Sequence, residues 1–279
     1  MRTDKPETPA PAPQLHVAKP SWASPKGAIG ITTANPPFDG VLLDLFGTLV
    51  PAGPRVDRAE HLYRMAEILH VDPEAFERDW SGSFRERVSG GLGSLGETIR
   101  RIAERQDVSP SAGEIQQTIE TRLTFTRSQL DACGPVLPAL DALGDAGVRL
   151  AVVSDASEEA PLLWSSCALG SRIAVTVFSC REGFCKPDPR MYFRALAQLD
   201  LPAEQCAYVG DGGSHELTGA EAVGLEAFLF RFPEDHSGPD PRYNPDTNWK
   251  GVTLQSLGEL LMVSRRPHRG RLCANGPGR

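Results

Sequence analysis

The sequence predicts an α/β fold built on a doubly wound, parallel sheet, and two observations support this. Short apolar runs typical of strands alternate with helical patterns from residue 132 to residue 262, as in sheets covered by helices on both faces. Residues 41–50 also form a nearly continuous apolar run with one carboxylate, Asp44. Such runs are typical of strands that are buried on both faces. The predicted core is therefore Rossmann-like.

The segment from residue 55 to residue 131 follows this first strand and has helical patterns with almost no β-branched runs. We predict helices over residues 56–70, 73–88, 94–106 and 111–130. In the last of these, Ile115, Ile119 and Leu123 recur at helical spacing, which indicates one apolar face. The segment therefore predicts a four-helix insert.

Helices and strands alternate after the insert. We predict helices over residues 135–146, 158–169, 189–199 and 214–223, and strands over residues 149–154, 173–178, 207–211 and 226–231. Residues 233–251 are rich in Pro, Asp and Asn, which favours a closing surface loop. The predicted core domain thus comprises residues 39–54 and 132–262.

The two ends of the chain differ from this core. Residues 1–38 contain eight prolines and no sustained apolar run, which predicts a disordered, proline-rich extension. Residues 263–279 contain five arginines and no acidic residue. No aromatic residues are interleaved with these charges, so we expect a solvated, flexible basic tail rather than a nucleic-acid-binding arm.

Composition narrows the class of protein. The net charge of −7 gives no broad electrostatic attraction to nucleic acid or to an anionic membrane, and we expect neither as a partner. The sequence contains no run of eighteen apolar residues, which is the length that a membrane-spanning helix needs. The six cysteines form no Cys-x-x-Cys pair, which favours reduced thiols. We expect a cytoplasmic protein, and its oligomeric state stays open.

Four polar motifs follow apolar, strand-like runs. They contain Asp44, Ser154, Lys186 and the acidic pair Asp211 and Glu216, and successive motifs are separated by 110, 32 and 25 residues. Ligands of parallel sheets collect at the carboxyl ends of the strands. The four motifs therefore predict one site at that edge of the sheet.

These motifs resemble, in kind and order, those of the haloacid dehalogenase superfamily of hydrolases and phosphatases, over about residues 39–262. The resemblance implies that residues 55–131 form an α-helical cap over the active site. It also implies that the main-chain carbonyl of Phe46 binds a metal ion. Glu216 is expected to bind that ion directly or through water.

The motif residues suit phosphoryl transfer. A carboxylate can act as a covalent nucleophile, and we assign that role to Asp44. Mg²⁺ prefers hard oxygen ligands, and Asp44 and Asp211 could share the ion. Ser154 and the backbone N–H group of Asp155 are placed to hold phosphate oxygens, and Lys186 adds the positive charge that these anions require.

Two further positions leave alternatives open. Thr48 could cap the turn after Gly47 or contact the substrate. Most phosphatases of the resembled family have a second Asp two residues after the nucleophile, and here that position is Phe46. General acid–base catalysis contributes typically ~100- to 10,000-fold, so this difference affects the predicted activity.

These residues leave three candidate functions. An aromatic residue at position 46 is similar to the 2-haloacid dehalogenases, in which the Asp attacks carbon without a metal. The retained acidic pair, Asp211 and Glu216, instead favours a Mg²⁺-dependent phosphatase that acts on a small phosphorylated metabolite. The third hypothesis is a catalytically weak module that binds phosphate or a partner protein.

Overall fold

A six-stranded, wholly parallel sheet forms the centre of the structure, a computed structural model that describes residues 36–51, 55–232 and 245–264. The strands are β1 (Gly40–Leu43), β2 (Arg149–Ser154), β3 (Val175–Phe178), β4 (Cys206–Gly210), β5 (Glu226–Phe230) and β6 (Thr253–Leu254). Their order in the sheet is β3-β2-β1-β4-β5-β6. This order confirms the predicted doubly wound, Rossmann-like α/β fold.

Ten α-helices connect the strands within the described residues. They are α1 (Arg55–Leu69), α2 (Pro73–Gly82), α3 (Phe84–Val88), α4 (Leu95–Glu104), α5 (Ala112–Asp131), α6 (Leu137–Asp145), α7 (Glu159–Leu163), α8 (Ser179–Glu182), α9 (Pro189–Leu199) and α10 (Glu216–Ala222). Helices α1 to α5 all lie between β1 and β2 in the chain. None of the helices in this part of the chain is long and apolar enough to cross a membrane.

The sheet is buried on both faces, as the apolar run in β1 indicates. Val41 and Leu43 pack into one hydrophobic cluster, whereas Leu42 packs into a second cluster with Tyr208 of β4. Alternate side chains of a strand point to opposite faces of a sheet. Helices must therefore cover both faces, and β1 lies at the centre of the core.

The helical segment 55–131 has a hydrophobic cluster of its own. The cluster includes Met65, Leu69, Phe76, Trp80, Ile99, Ile102 and Ile115. Helices α4 and α5 each begin with a capping box, in which the side chain of Ser94 or Ser111 and a glutamate three residues later satisfy each other's backbone N–H groups. These features explain why the segment folds around its own apolar faces, with five helices rather than the four predicted.

Several element boundaries differ from the prediction. The helix predicted over residues 73–88 is two helices, because Ser83 follows Gly82 and its hydroxyl donates to the carbonyl of Trp80 at 2.9 Å. The helix predicted over residues 158–169 ends as α7 at Leu163 and continues only as a single 3₁₀ turn. Gly170 there lies so close to the Trp164 carbonyl that a side chain would not fit.

Two more differences concern the end of the core. The helix predicted from residue 214 begins at Glu216, because Ser214 and His215 have left-handed backbone angles, with φ of 53° and 51°. Strand β6 has only two residues, too few to give an alternating pattern, and was not predicted. Residues 245–251 contain no helix or strand, whereas residues 233–244, most of the predicted extension and the tail from residue 265 lie outside the described residues.

His61 on α1 is buried against α5. Its ring stacks on Phe125 with 4.2 Å between the ring centroids, and its Nε2 atom has no hydrogen-bond partner among the described residues. Burial, together with the positive charge of Arg122, lowers the pKa of His61 from 6.5 to about 3. His61 is therefore neutral in the folded protein at neutral pH.

This burial predicts an acid-sensitive stability. Between about pH 6.5 and pH 3 the unfolded chain binds a proton at His61 that the folded chain does not, so stability falls as pH falls through this window. His61→Phe keeps the stacked ring and removes the titration. We expect the wild type to lose about 1–2 kcal/mol more than this variant between pH 7 and pH 5, measured by urea unfolding.

The matched control is His70→Gln, because His70 is an exposed histidine next to the end of α1. Nε2 of His70 lies 3.5 Å from Oε1 of Glu114, so this variant removes a surface contact, and the fall in stability that the burial of His61 causes should persist in it. Identical pH profiles for wild type and His61→Phe would show that His61 does not contribute to acid sensitivity.

Candidate active site

The strand order brings the ends of three strands together at one edge of the sheet. Strand β1 pairs with both β2 and β4, and Leu43 is opposite Val152 on one side and Val209 on the other. The next polar residues of these strands are Asp44, Ser154 and Asp211. The sheet therefore places three of the four predicted motifs side by side.

Lys186 is the fourth motif, and its ammonium group lies at the centre of the site. Its Nζ atom is 2.5 Å from Oδ1 of Asp44 and 2.5 Å from Oε2 of Glu216. Burial alone would lower the pKa of Lys186, but the carboxylates of Asp44 and Glu216 raise it well above its ordinary value. Lys186 is therefore a buried, permanently charged cation.

Glu216 is fully buried, and both of its carboxylate oxygens accept hydrogen bonds. Oε1 accepts from the backbone N–H of Gly212 at 2.8 Å, and Oε2 accepts from Lys186 and from the hydroxyl of Tyr208 at 2.7 Å. Burial raises the pKa of Glu216, and the Lys186 ammonium group opposes this rise. This geometry favours Glu216 as an anchor for Lys186, and metal ligation by Glu216 stays a prediction.

The backbone at Lys186 is held by another carboxylate, in addition to the two that contact its ammonium group. Oδ1 of Asp155, which directly follows β2, accepts the backbone N–H of Lys186 at 2.9 Å. Burial raises the pKa of Asp155 despite the nearby Lys186 ammonium group. The contact joins the loop after β2 to the loop before α9, so Ser154 and Lys186 keep a fixed relative position. Phosphate binding by Ser154 and Asp155 stays a prediction.

Asp44 is set by the turn that follows β1. Its backbone N–H donates to the carbonyl of Val209 at 2.9 Å, and its Oδ2 atom accepts from the hydroxyl of Thr48 at 3.3 Å. Gly47 has a φ of 93°, which permits the sharp turn. Thr48 is fully buried, so the structure favours a role in orienting Asp44, and contact between Thr48 and the substrate stays a prediction.

Three acidic residues lie close enough to hold one cation. One carboxylate oxygen each from Asp44, Asp211 and Glu216 lies within 4.8 Å of the others. Oδ1 of Asp211 accepts from the backbone N–H of Gly213 at 2.9 Å. In the described part of the chain, the backbone hydrogen bonds of the turn after β1 use the carbonyls of Leu45 and Val50 and none uses that of Phe46.

A cleft of about 620 Å³ opens over these residues. The core contributes Asp44, Ser154, Lys186 and Asp211 to its lining, and the helical segment contributes Trp80 and Arg122, among others. The side chain of Phe46 also lines the cleft. The site therefore has an acidic floor from the sheet and an aromatic, basic wall from the helices.

The sequence did not reveal every residue of this site. Tyr208 lies within the strand predicted over residues 207–211, yet its hydroxyl contacts Glu216 and lies 3.3 Å from Nζ of Lys186. Arg122 and Glu159 form an ion pair, with 2.5 Å between Nε and Oε1, across 37 residues of sequence. In the sequence, such a residue appears only as a polar group within an otherwise apolar pattern. This pattern does not identify the residue that the polar group contacts.

The sequence matches the haloacid dehalogenase-like hydrolase family over residues 38–224. This match covers more than half of the chain and includes all four motifs. The protein therefore belongs to the haloacid dehalogenase-like hydrolases and is a hydrolase, as the motifs predicted.

Two curated relatives are phosphatases. The chain is 26% identical over 230 residues to a ribulose-1,5-bisphosphate 5-phosphatase from Halopiger xanaduensis, a match that covers 79% of this chain and 96% of the relative. It is 29% identical over 240 residues to a phosphoglycolate phosphatase from Cupriavidus necator, a match that covers 84% of this chain and 98% of the relative.

A solved structure of another activity shares the fold. The 2-haloacid dehalogenase from Pseudomonas syringae is 23% identical and superposes with a TM-score of 0.57, over 81% of this chain and 97% of its own. At this identity the likeness shows the fold alone. It confirms the α/β architecture and does not choose between the two chemistries.

The charge arrangement predicts effects of very different size on stability for two substitutions. Lys186→Met leaves the buried carboxylates of Asp44 and Glu216 facing each other without a cation. We expect it to lower the free energy of unfolding by about 3–5 kcal/mol. Asp44→Asn instead removes one of the repelling charges and leaves Lys186 paired with Glu216, so its cost should stay below about 1 kcal/mol.

Urea unfolding in the presence of EDTA, followed by circular dichroism, measures both effects. Lys250→Met is the control, because Lys250 is an exposed lysine and its loss should change stability little. Equal destabilisation by Lys186→Met and Lys250→Met would contradict the assignment of Lys186 as the cation that stabilises the site.

Proposed function

We propose that the protein is a Mg²⁺-dependent phosphatase that hydrolyses a small phosphorylated metabolite through an aspartyl-phosphate on Asp44. The observation that carries this proposal is the cluster of Asp44, Asp211 and Glu216, whose carboxylate oxygens lie within 4.8 Å of one another, with the ammonium group of Lys186 bound to Asp44 and Glu216. In the proposal, residues 39–54 and 132–262 form the catalytic core. Residues 55–131 form a cap that covers the substrate.

The residues at the floor of the cleft fit a magnesium ion. Mg²⁺ binds to carboxylate and carbonyl oxygens, and Asp44 and Asp211 offer such oxygens within the distance that one ion requires. The main-chain carbonyl of Phe46 is a third candidate ligand. Bound there, Mg²⁺ would neutralise the repulsion between the Asp44 carboxylate and a phosphate group.

The side chains of this chain account for the covalent steps of the reaction, and solvent water supplies the proton for the leaving group. A carboxylate oxygen of Asp44 forms a bond to phosphorus while the bond from phosphorus to the ester oxygen breaks, and the leaving oxygen takes a proton from solvent water to give the alcohol. Lys186 and Ser154 stabilise the charge on the phosphoryl oxygens. Water then attacks the phosphorus of the aspartyl-phosphate, releases phosphate and restores Asp44.

The two phosphatase relatives support the substrate class. Their names state action on ribulose 1,5-bisphosphate and on phosphoglycolate, both small phosphorylated compounds. Each match covers more than 95% of the relative and most of this chain. A small phosphorylated substrate also agrees with the size of the cleft.

Phe46 favours a second candidate function. Where a phosphatase would use an acid, this chain presents an aromatic ring to the cleft. The second candidate is therefore hydrolysis of a 2-haloacid, in which Asp44 attacks carbon and displaces halide. The acidic cluster argues against it, because a reaction that needs no cation gains nothing from Asp211 beside Asp44.

The first experiment compares the two reactions directly. Purified protein is assayed for phosphate release from an aryl phosphate and for chloride release from 2-chloropropionate, each with Mg²⁺ and with EDTA. We expect Mg²⁺-dependent phosphate release that Asp44→Asn abolishes, because an amide cannot replace the carboxylate of Asp44 in forming the covalent intermediate.

The other outcomes of this experiment are distinct. Chloride release that EDTA does not affect would replace the phosphatase by the dehalogenase. Inactivity in both assays, combined with phosphate binding in calorimetry, would favour the weak binding module. Phosphate release retained in Asp44→Asn would contradict the nucleophile assignment.

The missing acid gives a second prediction. Phe46→Asp places a carboxyl group in the cleft, where it can protonate the leaving oxygen, and general acid catalysis contributes typically ~100- to 10,000-fold. We expect phosphatase kcat to rise by at least about 10-fold with a poor, alkyl leaving group. Phe46→Asn is the matched control, because Asn has nearly the same size as Asp but has no acidic group.

The leaving group sharpens this test. With an aryl phosphate, whose leaving group needs little protonation, the gain should be much smaller. Equal rates for Phe46→Asp and Phe46→Asn on the alkyl ester would show that another group already supplies the proton.

A further inference from the structure

Two guanidinium groups lie over one tryptophan in the wall of the cleft. The Cζ atom of Arg87, on α3, is 4.6 Å from the centroid of the Trp80 ring, and the Cζ atom of Arg122, on α5, is 5.2 Å from it. All three residues line the cleft that contains Asp44. Aromatic contacts of this kind restrict a guanidinium group and leave its N–H edge available.

Arg87 is almost fully buried, although it is charged. Its Nε donates to Ser83, its NH2 group to the carbonyl of Trp80, and its NH1 group to the hydroxyl of Ser157 at 3.3 Å. Ser157 belongs to the loop that carries Ser154. Arg87 therefore reaches from the helical segment to the loop expected to hold the transferred phosphate.

Arg122 is paired with one carboxylate. Its Nε donates to Oε1 of Glu159 at 2.5 Å, and in the described part of the chain its two terminal NH₂ groups take part in no hydrogen bond. Burial alone would raise the pKa of Glu159, but Arg122 and Arg87 hold it at about 2. The one carboxylate of Glu159 thus interacts electrostatically with the guanidinium groups of both Arg122 and Arg87.

The charges around Trp80 do not balance. Arg87 and Arg122 contribute two guanidinium groups to the lining there, and α7 contributes the one carboxylate of Glu159. Burial, with repulsion from Arg122, lowers the pKa of Arg87 to about 10, so it stays charged at neutral pH. A net positive, partly desolvated pair is stabilised by any anion that enters the cleft.

We propose that Arg87 and Arg122 bind a second anionic group of the substrate, a carboxylate or a second phosphate. This inference rests on the proposed function, because the first anionic group is the phosphate at Asp44. The terminal NH₂ groups of Arg122, and the two N–H groups that Arg87 has beyond its three hydrogen bonds, suit the paired oxygens of either anion. Substrates with an anionic group at each end are then preferred over neutral phosphate esters.

A purely structural role is the alternative. The contacts of Arg87 with Ser157 and of Arg122 with Glu159 join the helical segment to the core. Loss of such a joint would weaken the binding of every ligand equally. A bound anion has a different signature, because the loss would fall on the ligand that has the second charge.

Equilibrium binding separates these roles without relying on turnover. The probes are 3-phosphonopropionate, which has a phosphonate and a carboxylate, and propylphosphonate, which lacks the carboxylate, titrated in calorimetry with Mg²⁺ present. We expect the wild type to prefer 3-phosphonopropionate by about 10-fold or more. Propane-1,3-bisphosphonate, as a third probe, shows whether carboxylate or phosphate is preferred.

The variants test the two arginines. Arg87→Met and Arg122→Met should reduce the preference for 3-phosphonopropionate to about 3-fold or less and leave the affinity for propylphosphonate unchanged. The controls are Arg85→Met on α3 and Arg127→Met on α5, because both side chains are exposed and outside the cleft lining. Both controls should keep the preference of the wild type.

Glu159→Gln distinguishes the two roles further. It removes the carboxylate that competes for Arg122, so anion binding predicts an unchanged or larger preference for 3-phosphonopropionate. A joint between segments predicts the same general loss as Arg122→Met. The preference is a ratio measured on one folded variant, so partial unfolding of that variant does not change it.

Three results would overturn the inference. They are equal affinity of the wild type for both probes, equal weakening of both probes in the arginine variants, and loss of the preference in Glu159→Gln. If the wild type binds neither probe, the phosphate site at Asp44 fails as well. Binding of propylphosphonate alone would leave the proposed function standing and reject only the second anion site.

Discussion

The site depends on one interaction, the contact of the Lys186 ammonium group with the carboxylates of Asp44 and Glu216. Each carboxylate would repel the other in a buried space, and the ammonium group between them makes their proximity tolerable. The arrangement is still short of positive charge, because Asp211 joins the same cluster. A site that gathers more carboxylates than cations is prepared to receive a cation, which is the physical reason for placing Mg²⁺ there. The proposed nucleophile and the proposed magnesium site thus belong to one cluster of carboxylates.

The sheet makes this proximity possible. Asp44 directly follows the central strand, and the ends of β2 and β4 flank it on either side. Because those strands are buried on both faces, their register is fixed by the apolar side chains of the two clusters. Polar residues that follow such strands are brought together by the strand pairing alone. Lys186 and Glu216 are held in place by further hydrogen bonds, which involve Asp155, Tyr208 and the backbone of Gly212.

What could be predicted from the sequence follows the same division. Asp44, Ser154 and Asp211 end apolar runs whose pattern is local, so their elements and common edge could be predicted from the runs alone. Tyr208 and Arg122 could not, because each acquires its role from a partner that only the fold brings near. The break at Ser83 and the short β6 were also missed, since a serine within a helical pattern and a two-residue strand give weak local signals.

The two halves of the cleft bear different parts of the chemistry. In the proposed reaction, residues of the sheet edge act on the phosphoryl group, whereas α2, α3 and α5 present Trp80, Arg87 and Arg122 to the rest of the substrate. In a phosphatase reaction, Phe46 at the position of the usual acid would leave the first half without that proton donor, which would raise the barrier for poor leaving groups. Binding energy from a remote anionic group can offset such a loss when it holds the reacting phosphate against its nucleophile. A chain that lacks the acid therefore gains most in rate from a second charge on its substrate. The aromatic residue at position 46 and the two arginines, Arg87 and Arg122, are both consistent with such a substrate.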